Sequence, residues 1–271
     1  MSTKFLRTVL LFPGLFLAAA CSTVPLTGRT QLDLVPASTM MSMSYQQYGE
    51  FLKSNAVSKD EKQVKMVRNV GKKIQSAVER YMAQEKLSHL LKGYAWEFNL
   101  VESKEVNAWC MPGGKVVVYS GILPIAKDET GLAVVMGHEI AHAVARHGDE
   151  RMSQGVLVQL GGVALSTAMA NKPEETRQLW MTAYGAGSQV GVILPYSRLH
   201  EGEADRLGLI FMAMAGYDPQ AAVDFWTRMS GGSGGGKPPE FLSTHPSDET
   251  RIRKIKEHLP EAVGYYKKAK N

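Results

Sequence analysis

His138, Glu139, Ile140, Ala141 and His142 put two histidines and a glutamate inside a run, Leu132 to Val144, that is otherwise apolar on nearly every side. With Asp128 and Glu129 at its head, the run reads as a buried helix, because acidic groups favour a helix N-terminus and a helix apolar all round belongs in a core. At 100° per residue His138 and His142 stand about 40° apart, so both imidazoles reach one ion at roughly 2.0 to 2.1 Å. Glu139 lies about 60° from His142, near enough to take a proton from a water on that ion without ligating it. Three polar side chains in an apolar helix each need a buried partner. A shared metal satisfies both imidazoles at once, whereas two plain core histidines need a separate neighbour each.

A catalytic zinc keeps three protein ligands and one position for water. His147 stands about 140° round the helix from His142 and points elsewhere. The metzincin continuation needs a glycine and a histidine where this chain has Ala145 and Gly148. The third donor therefore comes from downstream, where Ser197 to Asp205 offers carboxylates on a second expected helix. Glu201 and Asp205 share a face at i, i+4 spacing, so one can bind metal while the other accepts the far N–H of a ligating histidine. His200 and Glu203 are expected on a solvated face of that helix.

HEIAH followed by SRLHEGEAD resembles the gluzincin metallopeptidases, the family of the CAAX prenyl endopeptidases and the heat-shock membrane protease HtpX. Within that family the chain is most similar to the periplasmic lipoprotein branch of the BepA and LoiP kind. The resemblance implies zinc (Zn2+) held by His138, His142 and Glu201, with Asp205 as an orienting group behind them. It implies endoproteolysis, with Glu139 as general base and misfolded or stalled envelope proteins as substrates. Asn107 to Gly121 resembles the segment that lies above the zinc in these peptidases, where an exposed strand edge would hold an extended substrate through main-chain hydrogen bonds. The pattern T-H-P-S-x-x-x-R, ending at Arg251, matches the lipoprotein members. There His245 has two roles open: a fourth zinc ligand that displaces water until the Gly-rich loop 231–236 moves, or a stabiliser of the oxyanion formed in amide hydrolysis.

The leader supports an exported protein. Met1 to Ala20 carries Lys4 and Arg7, then the apolar run Val9 to Ala19, too short to span a membrane comfortably. Leu17 to Cys21 resembles a bacterial lipobox, with Ala18 where the pattern prefers leucine, which implies cleavage before Cys21 and lipidation of its thiol. By resemblance to Gram-negative sorting signals, Ser22 then directs the protein to the periplasmic side of the outer membrane. With Cys21 lipidated, Cys110 is left alone, so no intrachain disulfide is expected and Cys110 reads as a small buried residue. Without Lys4 and Arg7, the Lys plus Arg count falls from 31 to 29 against 26 acids, with no basic cluster, so a nucleic-acid partner is set aside.

The expected organisation is a signal peptide at 1–20, a turn-rich tether at 21–36 and one metallopeptidase domain at 37–271. The fold class is α+β, mostly helical with one small sheet. Helices are expected at Ser38–Ser54, after a capping box at Ser58–Glu61, and from Pro219 to Met229; a last helix starts at Pro246 and runs through His258. Strands are expected from Tyr94 to Val101 and in a hairpin turned at Pro112, Gly113 and Gly114. Gly155–Ala170 and Leu179–Leu194 read as the arms of a helical hairpin, the second ended by Pro195. The competing class is a non-proteolytic chaperone or assembly lipoprotein with a structural zinc. The intact Glu139 speaks against it, because a closed structural site has no use for a general base.

Overall fold

The computed structural model describes residues 21–25, 27–231, 241–242, 245 and 249–270. The leader, the Gly-rich loop beyond Gly231, and Thr244, Pro246 and Ser247 lie outside these residues. The chain opens with strands β1 (Cys21–Thr23) and β2 (Thr30–Leu32), then helices α1 (Ala37–Ser54) and α2 (Glu61–Gln84). Strands β3 (Glu97–Val101), β4 (Ala108–Met111) and β5 (Lys115–Tyr119) follow, then the short α3 (Leu123–Ala126) and the central α4 (Glu129–Val144). Helices α5 (His147–Ala168), α6 (Glu174–Ser188), α7 (Leu194–Met214), α8 (Ala221–Gly231) and α9 (Glu249–Lys270) complete it. The fold is a mostly helical α+β one. Contacts gather the chain into two units, residues 41–145 with 198–271 and residues 1–40 with 146–197, where the sequence suggested one domain from 37 onward.

In the first of these units α4 is central. Asp128 caps it by accepting the Gly131 N–H at 2.9 Å, which satisfies one of the donors a helix start leaves open. Every residue from Gly131 to Val144 is buried, as an all-apolar helix requires. Around it pack α2, β4 and α8. Helix α2 is amphipathic, burying Val67, Val70, Ile74, Val78 and Tyr81 while its lysines face water. Its cap is Asp60, whose carboxylate accepts the Gln63 N–H at 3.0 Å; Ser58, expected to cap it, instead accepts the N–H of Asp60. The aspartate immediately precedes the helix, where its short side chain reaches the N–H of the third helical residue.

The three-stranded sheet runs in the order β3-β5-β4, with β3 parallel and β4 antiparallel to β5. The β4–β5 turn uses Gly113 and Gly114 at φ 86 and 82, a left-handed conformation in which a side chain would also meet Tyr45 and Trp96. β4 therefore has β5 on one side only, and it is packed against α4.

In the other unit, the stretch read as a tether carries the β1–β2 hairpin, whose Arg29 forks onto Glu150 of α5 at 2.9 and 2.7 Å. Arg146, in the left-handed conformation between α4 and α5, grips both Asp33 and Asp149. The expected helical hairpin is α5 with α6. Its second arm does not stop at Pro195: a π-turn, Gln189–Ile193, leads straight into α7, and proline is tolerated because it falls in the first turn of that helix. Likewise α9 runs past His258 to Lys270 with Pro260 inside it, held by the buried Ile255 and Ala262 on either side.

Candidate metal centre

The buried α4 presents His138 and His142, α7 presents Glu201, and His245 approaches ahead of α9. Their ligand atoms all lie within 4.8 Å of one another. His138 Nε2 stands 3.1 Å from His142 Nε2, 3.2 Å from His245 Nδ1 and 3.4 Å from Glu201 Oε2. Glu201 Oε1 is 3.3 Å from His142 Nε2 and 3.0 Å from His245 Nδ1. A tetrahedral ion with bonds of roughly 2.0 to 2.1 Å spaces its ligands by about 3.3 Å, so these separations fit a zinc-sized ion. Three imidazoles and one carboxylate are also the borderline-soft N/O donor set that zinc takes.

The far side of His138 is held as a ligand requires. Its Nδ1 donates to Asp205 Oδ1 at 3.0 Å, which leaves the Nε2 lone pair facing the cluster. Burial alone would lower the His138 pKa, but hydrogen bonds to Asp205 and Glu201 outweigh it and push it up to about 9. Burial would raise Glu201, yet the three histidines around it hold its carboxyl far below the usual range. Asp205 is also kept low, against its burial, by Arg251 and His138.

Glu139 behaves differently. It is 4% exposed, its Oε1 has no hydrogen-bond partner, and burial raises its pKa against the opposing charges of His245 and His138. The His245 ring faces it, with Nε2 3.5 Å from Oε1. His245 thus turns one ring nitrogen to the donor cluster and the other to Glu139. Burial, with a lesser push from the Glu139 charge, raises the pKa of the Cys110 thiol on β4.

Sequence reasoning missed Arg251. Its guanidinium forks onto Asp205 at 2.9 and 2.7 Å, lies 3.2 Å from Glu201 Oε2, and stacks on Trp226 with 3.5 Å between its central carbon and the ring centroid. Trp226 and Phe241 wall the cluster, Phe241 stacking on His245 at 4.6 Å. The last position of the T-H-P-S-x-x-x-R pattern was the available signal. His200 and Glu203, expected in solvent, are buried at 1% and 6% exposure, because α7 is enclosed on nearly every side from Glu201 to Met214. His147 opens α5 and is not one of the four clustered donors.

Two histidines one turn apart on a buried helix, a glutamate from a second helix and an unligated glutamate between them define a zinc metallopeptidase centre. Residues 69–259 match the model described as peptidase family M48, and the chain belongs to this family of zinc-dependent metallopeptidases. It is 43% identical over 168 residues to the mitochondrial metalloendopeptidase OMA1 of Schizosaccharomyces pombe, covering 62% of this chain and 48% of that protein. The OMA1 of Saccharomyces cerevisiae is 35% identical over 187 residues, 66% of this chain and 52% of the relative. The β-barrel assembly-enhancing protease of Escherichia coli is 32% identical over 162 residues, 58% and 33% of the two chains. The chain spans about half the length, or less, of these relatives. The expected location at the periplasmic side of a Gram-negative outer membrane is overturned by the mitochondrial relatives. A basic start followed by an apolar run is a pattern that more than one targeting route reads, so it does not choose a compartment.

Proposed function

We propose that the protein is a zinc endopeptidase that cuts extended segments of misfolded or misassembled proteins, with His138, His142 and Glu201 as the ligands and Asp205 orienting His138. The observation that carries this reading is Glu139, a buried carboxylate with an orphaned oxygen beside a four-donor cluster. When bound, zinc supplies Lewis-acid polarisation of a carbonyl oxygen and of a water at neutral pH. Glu139 takes the proton of the attacking water and delivers it to the leaving amine, and its burial-raised pKa suits both halves of that transfer.

The open edge of β4 supports an extended substrate. The Tyr119 N–H donates to the Asn107 carbonyl, so in this antiparallel register alternate residues face β5 and the N–H and C=O of Cys110 face away from it. A strand added there is held by its backbone, which suits unfolded proteins of varied sequence. The name of the Escherichia coli relative supports misassembled proteins as the substrate class. Lipidation of Cys21, exposed at the head of β1, stays part of the proposal on the strength of Leu17–Cys21.

Glu139→Gln tests the reading: zinc content is kept while cleavage of a denatured reporter protein falls by about 10²-fold or more. Retained turnover removes Glu139 from the mechanism. One observation favours the second reading, a structural zinc in a binding protein: His245 completes a closed set of four donors. That reading requires parent and Glu139→Gln to bind an unfolded protein equally while neither cuts it.

A further inference from the structure

Between Arg151 and Lys172, and again between Arg177 and Arg198, the chain has no Asp, Glu, Lys or Arg. These stretches form the arms of the α5–α6 hairpin and the turn that follows it. The arms are not a hidden core. Leu160 and Val163 on α5 are each 60% exposed, and Leu179 and Trp180 on α6 are 69% and 52% exposed. Large apolar side chains exposed along both arms of one hairpin are the kind of surface that marks a docking site. Tyr184 ties the arms together by donating to the Val158 carbonyl at 2.8 Å, and beside it lies an open groove of about 480 Å³ lined by Leu32, Leu157 and Val158.

We propose that this hairpin is a lipid-surface docking element, lying in the plane of a bilayer interface with Leu160, Val163, Leu179 and Trp180 at the acyl boundary and the groove taking one acyl chain. Where the charges fall argues for this occupant and this orientation. Lys172, Glu174, Glu175 and Arg177 crowd the tip, and Arg151 is exposed at the base, so both ends require water or headgroups while the length between them does not. A tip-first insertion would bury four charges. No described helix is long and apolar enough to cross a membrane, which also favours a flat contact. Tryptophan at the boundary suits an interface, being apolar in body with one N–H to place in water. The chain also enters this same unit at Cys21, directly after the apolar leader run, so attachment there brings the hairpin to the same surface. The inference does not depend on the peptidase reading.

The test uses the zinc-loaded full chain and phosphatidylcholine vesicles. The parent cosediments, and because the attraction is apolar it persists in high salt. Leu160→Glu with Leu179→Glu lowers the partition coefficient by about tenfold or more per leucine, while the circular dichroism melt and zinc content match the parent. Brominated phosphatidylcholine quenches part of the parent's fluorescence, and Trp180→Phe abolishes that part. Cys21→Ala keeps both effects. The proposal is overturned if the double variant partitions like the parent, or if the vesicle-bound parent shows no Trp180 quenching, since the leader or Cys21 then does the binding. It is also overturned if the parent ignores vesicles and sediments as a dimer that the double variant breaks, since the face then joins two copies.

Discussion

Replacing Arg251 with methionine removes a buried cation from between two carboxylates and an aromatic face. Arg251 and Asp205 are each 6% exposed, and their contact is a two-bond fork at 2.9 and 2.7 Å, so solvent screens it little. Removing one member of a buried pair costs about 3–5 kcal/mol, because the other charge is left uncompensated. Asp205 keeps the His138 N–H at 3.0 Å, which sets the pair at the lower end of that range. Lost stacking on Trp226 adds about 1 kcal/mol, and methionine refills much of the volume. The expected loss is therefore about 3–4 kcal/mol in the zinc-free protein, which lowers the urea midpoint by about 1 M or more. Urea unfolding followed by circular dichroism reads it. A cycle with Asp205→Asn isolates the pair: the double variant should lose less than the sum of the singles, by about 2 kcal/mol. Arg251→Lys should recover only part of the loss, since an ammonium cannot fork onto the carboxylate or stack flat on the indole. A loss below about 1 kcal/mol for Arg251→Met, or additive losses in the cycle, would falsify the view that this fork holds the site from behind.

Asp205→Asn should weaken zinc binding by about 10- to 100-fold in a chelator competition, since the amide no longer fixes the tautomer of His138; unchanged affinity removes Asp205 from the site. His245→Ala should raise cleavage of a denatured protein, because His245 Nδ1 sits among the donors and its other nitrogen faces Glu139; a collapse assigns it to the oxyanion instead, and no change defeats both roles. Gly208→Ala places a methyl 2.9 Å from the backbone nitrogen of His138, so α7 has to move off α4 at a cost of about 1–3 kcal/mol; Gly202→Ala on the same helix meets nothing within 4 Å and should be neutral or slightly stabilising in the same melt. Arg206 holds the Glu261 carboxyl below its ordinary pKa, so the pair stabilises above the unfolded value of about 4.3 and its contribution is lost as pH falls through the folded one. Both partners are about one-third exposed, so Glu261→Gln should cost about 1 kcal/mol or less at pH 7, and the gap to the parent should close in acid.

The parts of the site that could be read from the sequence are those fixed by one turn of helix. His138 and His142 share a face whatever else the fold does, and Glu201 with Asp205 does the same on α7. Their grouping needed a second helix to be brought alongside, which spacing cannot show and the family pattern could. Periodicity failed where a residue's surroundings come from distant chain. His200 and Glu203 are short of apolar neighbours in sequence, yet α7 is enclosed, so they are buried. Pro195 reads as the end of the second arm because proline removes a donor, yet it falls in the first turn of α7; the last helix, expected through His258, continues across Pro260 with Ile255 and Ala262 buried on either side.

Arg251 was the hardest to foresee, and the charge balance explains its presence. Without it, Glu201 and Asp205 would stand as two buried anions facing His138, and burying unpaired charge costs several kcal/mol. A balancing cation has to pair with Asp205 without entering the donor cluster. A guanidinium stacked on Trp226 meets that requirement, since its fork takes the carboxylate while the indole fixes its plane. The Asp205 carboxylate is then compensated by the fold itself, so the group behind His138 is held in place by a partner that is not a donor to the cluster.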